Sequence, residues 1–239
     1  MQQILSGRAH GHAHVGAGIA VRHRKNIQII ENYSHIVNMK TTYGLHPHNA
    51  KNYKMFFHNF DKNISNLHVN AIGEFGLDYF RMISSREEQI KAMELFLEKA
   101  SQNNHLPLFL HEREAFNDFY SLIKTTKSKG VVHCFTGSLE NVKAYLDLGL
   151  YIGITGWISD NRRNDDLLNA VNYIPLDRLL IETDCPYLSP KNVIKNIKRN
   201  EPKYLSHVAL SIANIKKITI DTVIEKSTAN GLALFKNPL

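Results

Sequence analysis

The chain reads as an α/β protein, a TIM-type (β/α) barrel, on three observations. Short runs rich in Val, Ile, Leu and Phe alternate with longer segments of helical period, the pattern of repeated βα units. The 239 residues, 43% of them hydrophobic, have room for about seven or eight such units and come close to the roughly 250 residues of a barrel domain. Ionisable residues stand at the C-terminal ends of several separate runs, where barrel active sites are assembled. A doubly wound open sheet is the alternative.

Taken in chain order, strands are expected near 12–17, 40–46, 69–75, 106–111, 130–135, 149–155 and 178–183. The runs LPLFLH, GVVHCF, LGLYIGIT and RLLIET are nearly continuous in apolar residues, as parallel strands covered on both faces require. Ser84 or Ser85 followed three residues later by Glu87 or Glu88 forms a capping box, and Ile90, Met93, Leu97 and Ala100 follow at helical spacing. Leu205, Val208, Ile212 and Ile215 repeat that spacing, and a last helix is expected over about 221–235. No Pro/Gly/Ser linker divides the chain, so a single barrel over 12–239 is expected, with 1–11 set apart as an atypical N-terminal segment that is not part of the barrel.

Composition narrows the function classes. The 29 Lys and Arg outnumber 22 Asp and Glu, for a net charge of +7, which favours an anionic partner and leaves nucleic acid, a phosphorylated metabolite or an anionic surface open. Two cysteines exclude a disulfide framework, so the cytoplasm, or else the nucleus, is the expected compartment. The longest apolar runs fall far short of the roughly 18 residues that a membrane span needs, and no secretory signal opens the chain.

Four strand ends carry metal-ligand types: Glu74 after NAIG, His111 after LPLFL, His133 after GVV and Asp184 after LLIET. Any one of them alone is more often a hydrogen-bonded or solvated terminus, but two imidazoles and two carboxylates meeting at one barrel mouth suit a divalent ion. Burying His111 or His133 behind such apolar runs without a partner would cost about 1–3 kcal/mol each.

Further motifs join these residues: GLHPH at 44–48, AIGEFGLDY at 71–79, LPLFLHER at 106–113, VVHCFTGS at 131–138, YIGITGWISDNRR at 151–163, LLIETDCPYL at 179–188 and RNEP at 199–202. In this order they resemble the TatD family of metal-dependent deoxyribonucleases, most closely its bacterial TatD branch. The joint occurrence of HCFTG, ETDCPYL and RNEP carries the specificity of the resemblance. It implies an amidohydrolase-like barrel that hydrolyses phosphodiester bonds, with Glu74, His111, His133 and Asp184 matching the family's metal ligands. The N-terminus departs from the pattern. In many members the first strand bears an Asp-Thr-His-x-His motif, whereas HAHVGAG most resembles the second strand, and the first is expected to be altered or missing. His10, His12 and His14 have His-x-His spacing but lie at the wrong distance from His46, so they are placed outside the core site, and either one ion or two is expected.

The expected function is therefore that of a metal-dependent deoxyribonuclease, an exonuclease acting on single-stranded DNA ends in repair or turnover. The alternatives are a hydrolase of a small ester, amide or phosphoester and a catalytically dead nucleic-acid-binding relative. Mg²⁺ or Mn²⁺ is favoured by phosphate and carboxylate chemistry, with Zn²⁺ still open. Asp184 and Glu74 are the expected catalytic residues, Asp184 accepting the water proton and Glu74 anchoring the metal. His46 and His48, held apart by Pro47, are placed on the rim to hold a phosphate oxygen, with helix capping as the alternative. Arg113 is a candidate phosphate clamp, or else an ion-pair partner of Glu112 or Glu114. Trp157, Arg162 and Arg163 combine an aromatic ring with paired cations, as single-strand binding needs, and Arg199 belongs with them. Cys134 and Cys185 are expected as small residues packed behind the site.

Overall fold

Strands that are apolar on both faces need cover on both faces, and here parallel strands receive it from helices. A computed structural model describes residues 40–66, 69–160, 165–191 and 199–235. Among them, six strands form one parallel sheet: β1 (Thr42–Tyr43), β2 (Ala71–Asp78), β3 (Leu108–Arg113), β4 (Gly130–His133), β5 (Tyr151–Ile154) and β6 (Leu179–Ile181). Each strand pairs with the next in sequence, so the order is β1-β2-β3-β4-β5-β6, the unbroken succession of a TIM-type barrel wall. The strand expected at 12–17 lies outside the described residues, as do His10, His12 and His14.

Helices α1 (Tyr53–His58), α2 (Phe60–Asn66), α3 (Arg86–Gln102), α4 (Phe116–Ile123), α5 (Leu139–Asp147), α6 (Asp165–Tyr173), α7 (Leu205–Lys216) and α8 (Ile220–Leu234) accompany the sheet. In α3 the expected capping box is present. Ser85 Oγ accepts from the Glu88 amide, and the Glu88 carboxylate accepts from the Ser85 amide at 2.9 Å. The helix buries Met93, Phe96 and Ala100, and Phe96 stacks on Phe75 of β2 at 4.6 Å; Ile90 and Leu97 flank this stripe half-buried. β1 is shorter than the 40–46 expected, because its ladder ends at Tyr43 opposite Ile72 and Pro47 opens a 3₁₀ helix over Pro47–Asn52.

The pleat determines where the chemistry lies. Phe109, Val131 and Leu180 join Ala71, Leu234 and Phe235 in a small apolar cluster, separate from the larger core that includes Phe75, Phe96, Phe119 and Tyr145. Alternate residues of a strand share a face, so His111, His133 and Glu182 stand one step above Phe109, Val131 and Leu180. The Phe109 ring stacks on His133 at 4.8 Å, so the polar layer rests directly on this plug. In β2 the register runs from Gly73 opposite Phe109 to Phe75 opposite Leu110, leaving Glu74 as an extra residue at a bulge. A bulge next to a site re-aims one side chain, and the Glu74 carboxylate meets the histidines of β3 and β4.

Candidate active site

One carboxylate oxygen organises the mouth. Glu74 Oε1 lies 2.6 Å from His133 Nε2, 2.8 Å from His111 Nδ1 and 3.4 Å from His46 Nε2. Ligand atoms of His46, Glu74 and His111 all lie within 4.8 Å of one another, and His133 Nε2 is 3.3 Å from His111 Nδ1. Burial works against a charged Glu74, but the surrounding imidazoles more than offset it and hold the carboxyl well below the usual carboxylate range. Burial likewise works against charged His111 and His133, yet carboxylate neighbours raise both. Glu74 Oε2 is buried with no hydrogen-bond partner.

The far nitrogens of the histidines separate their roles. His133 Nδ1 lies 3.2 Å from Glu182 Oε2, and His111 Nε2 lies 3.5 Å from Asp78 Oδ2. His133 Nδ1 shares a proton with Glu182, whereas His111 Nε2 faces Asp78 without a hydrogen-bond partner; with protons kept on these outer nitrogens, the lone pairs of His133 Nε2 and His111 Nδ1 would be free for an ion beside Glu74, the way outer carboxylates orient metal-binding imidazoles. His46 is wired the other way. Its Nδ1 accepts from the His48 amide at 3.1 Å and so caps the 3₁₀ helix, which leaves the ring proton on Nε2, facing the site. Burial lowers the His46 pKa to about 3 despite Glu74, so that ring is neutral. The donor set of Glu74, His111 and His133 therefore fits a divalent ion. It offers an orphaned carboxylate oxygen and two oriented imidazole lone pairs, and an ion would replace the protons that the histidines otherwise share with Glu74.

Asp184 adopts a left-handed conformation (φ 53°) just past β6 and lines the same cavity of about 800 Å³ as His46, His111 and His133. The loop carrying it is clamped by Asn200, whose Nδ2 donates to Thr183 O and Tyr187 O, both at 2.6 Å. His48 lies on the rim and shares a proton with Asp78 Oδ2 at 2.8 Å. Burial opposes a charged Asp78, but contacts with His111 and His48 and the Arg81 amide outweigh it and push that carboxyl down.

Arg113 makes neither of the ion pairs considered from sequence. Glu112 turns inward, accepting from the Ala115 amide at 2.7 Å and the Tyr145 hydroxyl at 3.1 Å, while the Arg113 guanidinium stacks 3.9 Å from the Phe80 ring centroid and lies 5.9 Å from that of Trp157. Arg199 is exposed, and Arg162 and Arg163 fall outside the described residues. Cys134 and Cys185 line the cavity instead of packing behind it, because the chain turns at the strand ends there. Burial and the nearby Asp184 and Glu182 carboxylates keep the Cys134 thiol well above its ordinary range, so it offers no ready thiolate.

Sequence reasoning missed Asp78, Glu182 and Phe80. Glu182 lies two residues from Asp184 in ETD and two from Leu180 of β6, so strand alternation was the signal that could have found it. It needs space as well: a Cβ at Gly153 of β5 would overlap Glu182 Oε1. Asp78 lies four residues beyond Glu74, past the end of the strand expected at 69–75, and the structure extends β2 to reach it.

The model of the family described as TatD related DNase matches residues 5–236. A protein of Rahnella sp. named 3′-5′ ssDNA/RNA exonuclease TatD is 42% identical over 181 residues, covering 72% of this chain and 68% of its own length. A protein of the same name from Pantoea ananatis is 37% identical over 201 residues, covering 82% of this chain and 77% of its own. The crystal structure of a TatD family hydrolase from Entamoeba histolytica superposes with a TM-score of 0.82 at 30% identity, covering 95% of this chain and 85% of that one.

Proposed function

Given that the chain belongs to the TatD related DNase family, we propose that it is a metal-dependent exonuclease that hydrolyses phosphodiester bonds at the ends of single-stranded DNA. The single observation that carries this reading is the Glu74 carboxylate, one oxygen ringed by imidazoles and the other buried without a partner at the barrel mouth. The names of the two relatives supply the single-stranded substrate and the 3′-to-5′ direction, and DNA repair or turnover in the cytoplasm is the setting proposed for it. No helix among the described residues is long and apolar enough to cross a membrane. One barrel over 12–239 is the proposed organisation, supported by a single family match that begins at residue 5 and so includes part of 1–11.

In this reading Glu74, His111, His133 and Asp184 hold the ion, with Mg²⁺ or Mn²⁺ favoured. A bound divalent ion supplies a nucleophile near neutral pH and neutralises charge on the phosphoryl oxygens. The chain does the rest. Asp184 accepts the proton of the attacking water, Glu182 keeps the His133 ring in the required tautomer, and Asp78 faces the outer nitrogen of His111. His46, neutral and with its proton on Nε2, donates to a phosphoryl oxygen, and His48 stands beside it on the rim. Arg113, Arg199, Arg162 and Arg163 meet the strand's phosphates, and Trp157 a base.

The test is digestion of an end-labelled single strand. Asp184→Ala and His133→Ala are expected to lower turnover by about 10²-fold or more while circular dichroism stays that of the parent, since each removes a proposed ligand. Near-parental turnover in both variants at saturating metal overturns the assignment. The order in which labelled products appear reads the direction of cleavage, and RNA in place of DNA reads the sugar preference.

A further inference from the structure

Next to the cavity over the Glu74 cluster lies a second, of about 550 Å³, and the two share Glu112, Arg113, Thr136 and Trp157 along their border. The loop after β2 presents Phe80, 43% exposed, to this second cavity, followed by exposed Met82 and Ile83, with Ile83 facing the first. Large apolar side chains left on a rim between two joined cavities mark a binding surface more often than chance exposure. The Arg113 guanidinium lies against the Phe80 ring and joins it to Trp157 across the shared border.

The acids of this cavity are largely accounted for. Asp118 receives the Tyr79 hydroxyl and the Arg86 guanidinium, each at 2.6 Å, and Glu112 points into the protein; Glu114 is exposed. What faces a ligand is a ring, a guanidinium and a second ring, in a space that falls within the usual range for small-ligand pockets. An aromatic face takes the flat side of a base, and a guanidinium takes a phosphate or adds to the stack.

Deepening the exonuclease reading and resting on it, we propose that the second cavity is the subsite for the nucleotide next to the terminal one, its base on Phe80 and its phosphate on Arg113. The terminal nucleotide then occupies the larger cavity over Glu74, and the strand leaves past Phe80 and Trp157. A flat, anionic, repeating ligand is what a chain of +7 with two adjoining cavities accommodates.

Trp157 is the one tryptophan of the sequence, so its emission reports this border directly. Thymidine 5′-methylphosphate, which fills only the terminal position, is compared with di- and trideoxynucleotides as substrates of the parent, Phe80→Ala and Phe80→Tyr. The parent's KM is expected to fall from the methyl ester to the dinucleotide, which adds the base for the second cavity. Phe80→Ala should remove that gain, raising KM for the di- and trinucleotide about five-fold or more, the effect of losing one base stack, and leave KM for the methyl ester unchanged. Phe80→Tyr, which keeps a ring, should retain most of the gain, and the dinucleotide should quench Trp157 more than the methyl ester. A parental KM equal for methyl ester and dinucleotide, or an equal rise for both in Phe80→Ala, overturns the subsite while leaving the exonuclease reading in place. A parent that cleaves no oligonucleotide overturns that reading and the subsite with it.

Discussion

At the scale of single residues, protons decide what each histidine can do. His111 and His133 both turn a nitrogen to Glu74 and the other to a carboxylate, whereas His46 spends its Nδ1 lone pair on the His48 amide. In the proposed reading the same residue type at one mouth thus divides into two groups that hold an ion and one that donates a hydrogen bond. Glu182 is the most exacting test of that division. It touches no proposed substrate atom and acts only through His133 Nδ1. Glu182→Gln is expected to weaken metal binding about 10–100-fold, the usual effect of losing such an outer carboxylate, with little change in turnover once metal saturates. Isothermal titration with Mn²⁺ measures the first and turnover at saturating metal the second; an unchanged affinity contradicts the orienting role.

At the scale of elements, the tie between the loop after β2 and helices α3 and α4 runs through Asp118, which receives Tyr79 and Arg86. The Tyr79 hydroxyl first, then Arg86, holds the Asp118 carboxyl below its ordinary range. The folded value is therefore lower than the unfolded one, so the stabilisation is complete above about pH 4 and is lost as pH falls through the folded value. Asp118→Ala should cost no more than about 1 kcal/mol at pH 7, given its exposure, and the cost should shrink toward pH 2. Urea unfolding at both pH values measures it, and a penalty that grows in acid contradicts the sign. Five of the six described strands overlap their expected ranges by three residues or more, because a buried parallel strand is written as an uninterrupted apolar run. The proposed ligands at their ends are legible for the same reason: Glu74, His111 and His133 interrupt such runs. Asp78 and Glu182 were not legible as partners, since Glu182 and His133 are 49 residues apart and meet only once the sheet has formed. The inward turn of Glu112, which freed Arg113 to stack on Phe80, was equally invisible, because it depends on Tyr145 of α5.

At the scale of the whole molecule, the excess of cations and the adjoining cavities point to a polyanion that follows the mouth. Affinity for a single strand should fall with salt by about 0.7 log units per log unit for each phosphate contact. Changing Arg162 and Arg163 together to Ala should flatten that slope by about one to two contacts, measured by fluorescence anisotropy over a salt series. An unchanged slope removes those two residues from the strand's path. The central claim is that the Glu74 cluster works by holding a divalent ion, and the most direct measurement strips the protein with a chelator and then titrates Mg²⁺ or Mn²⁺ back while following hydrolysis of an end-labelled single strand. Hydrolysis is expected to vanish on stripping and return with metal, and the thermal midpoint to rise with metal concentration as binding to the folded state demands. Undiminished hydrolysis by the stripped protein would contradict the claim.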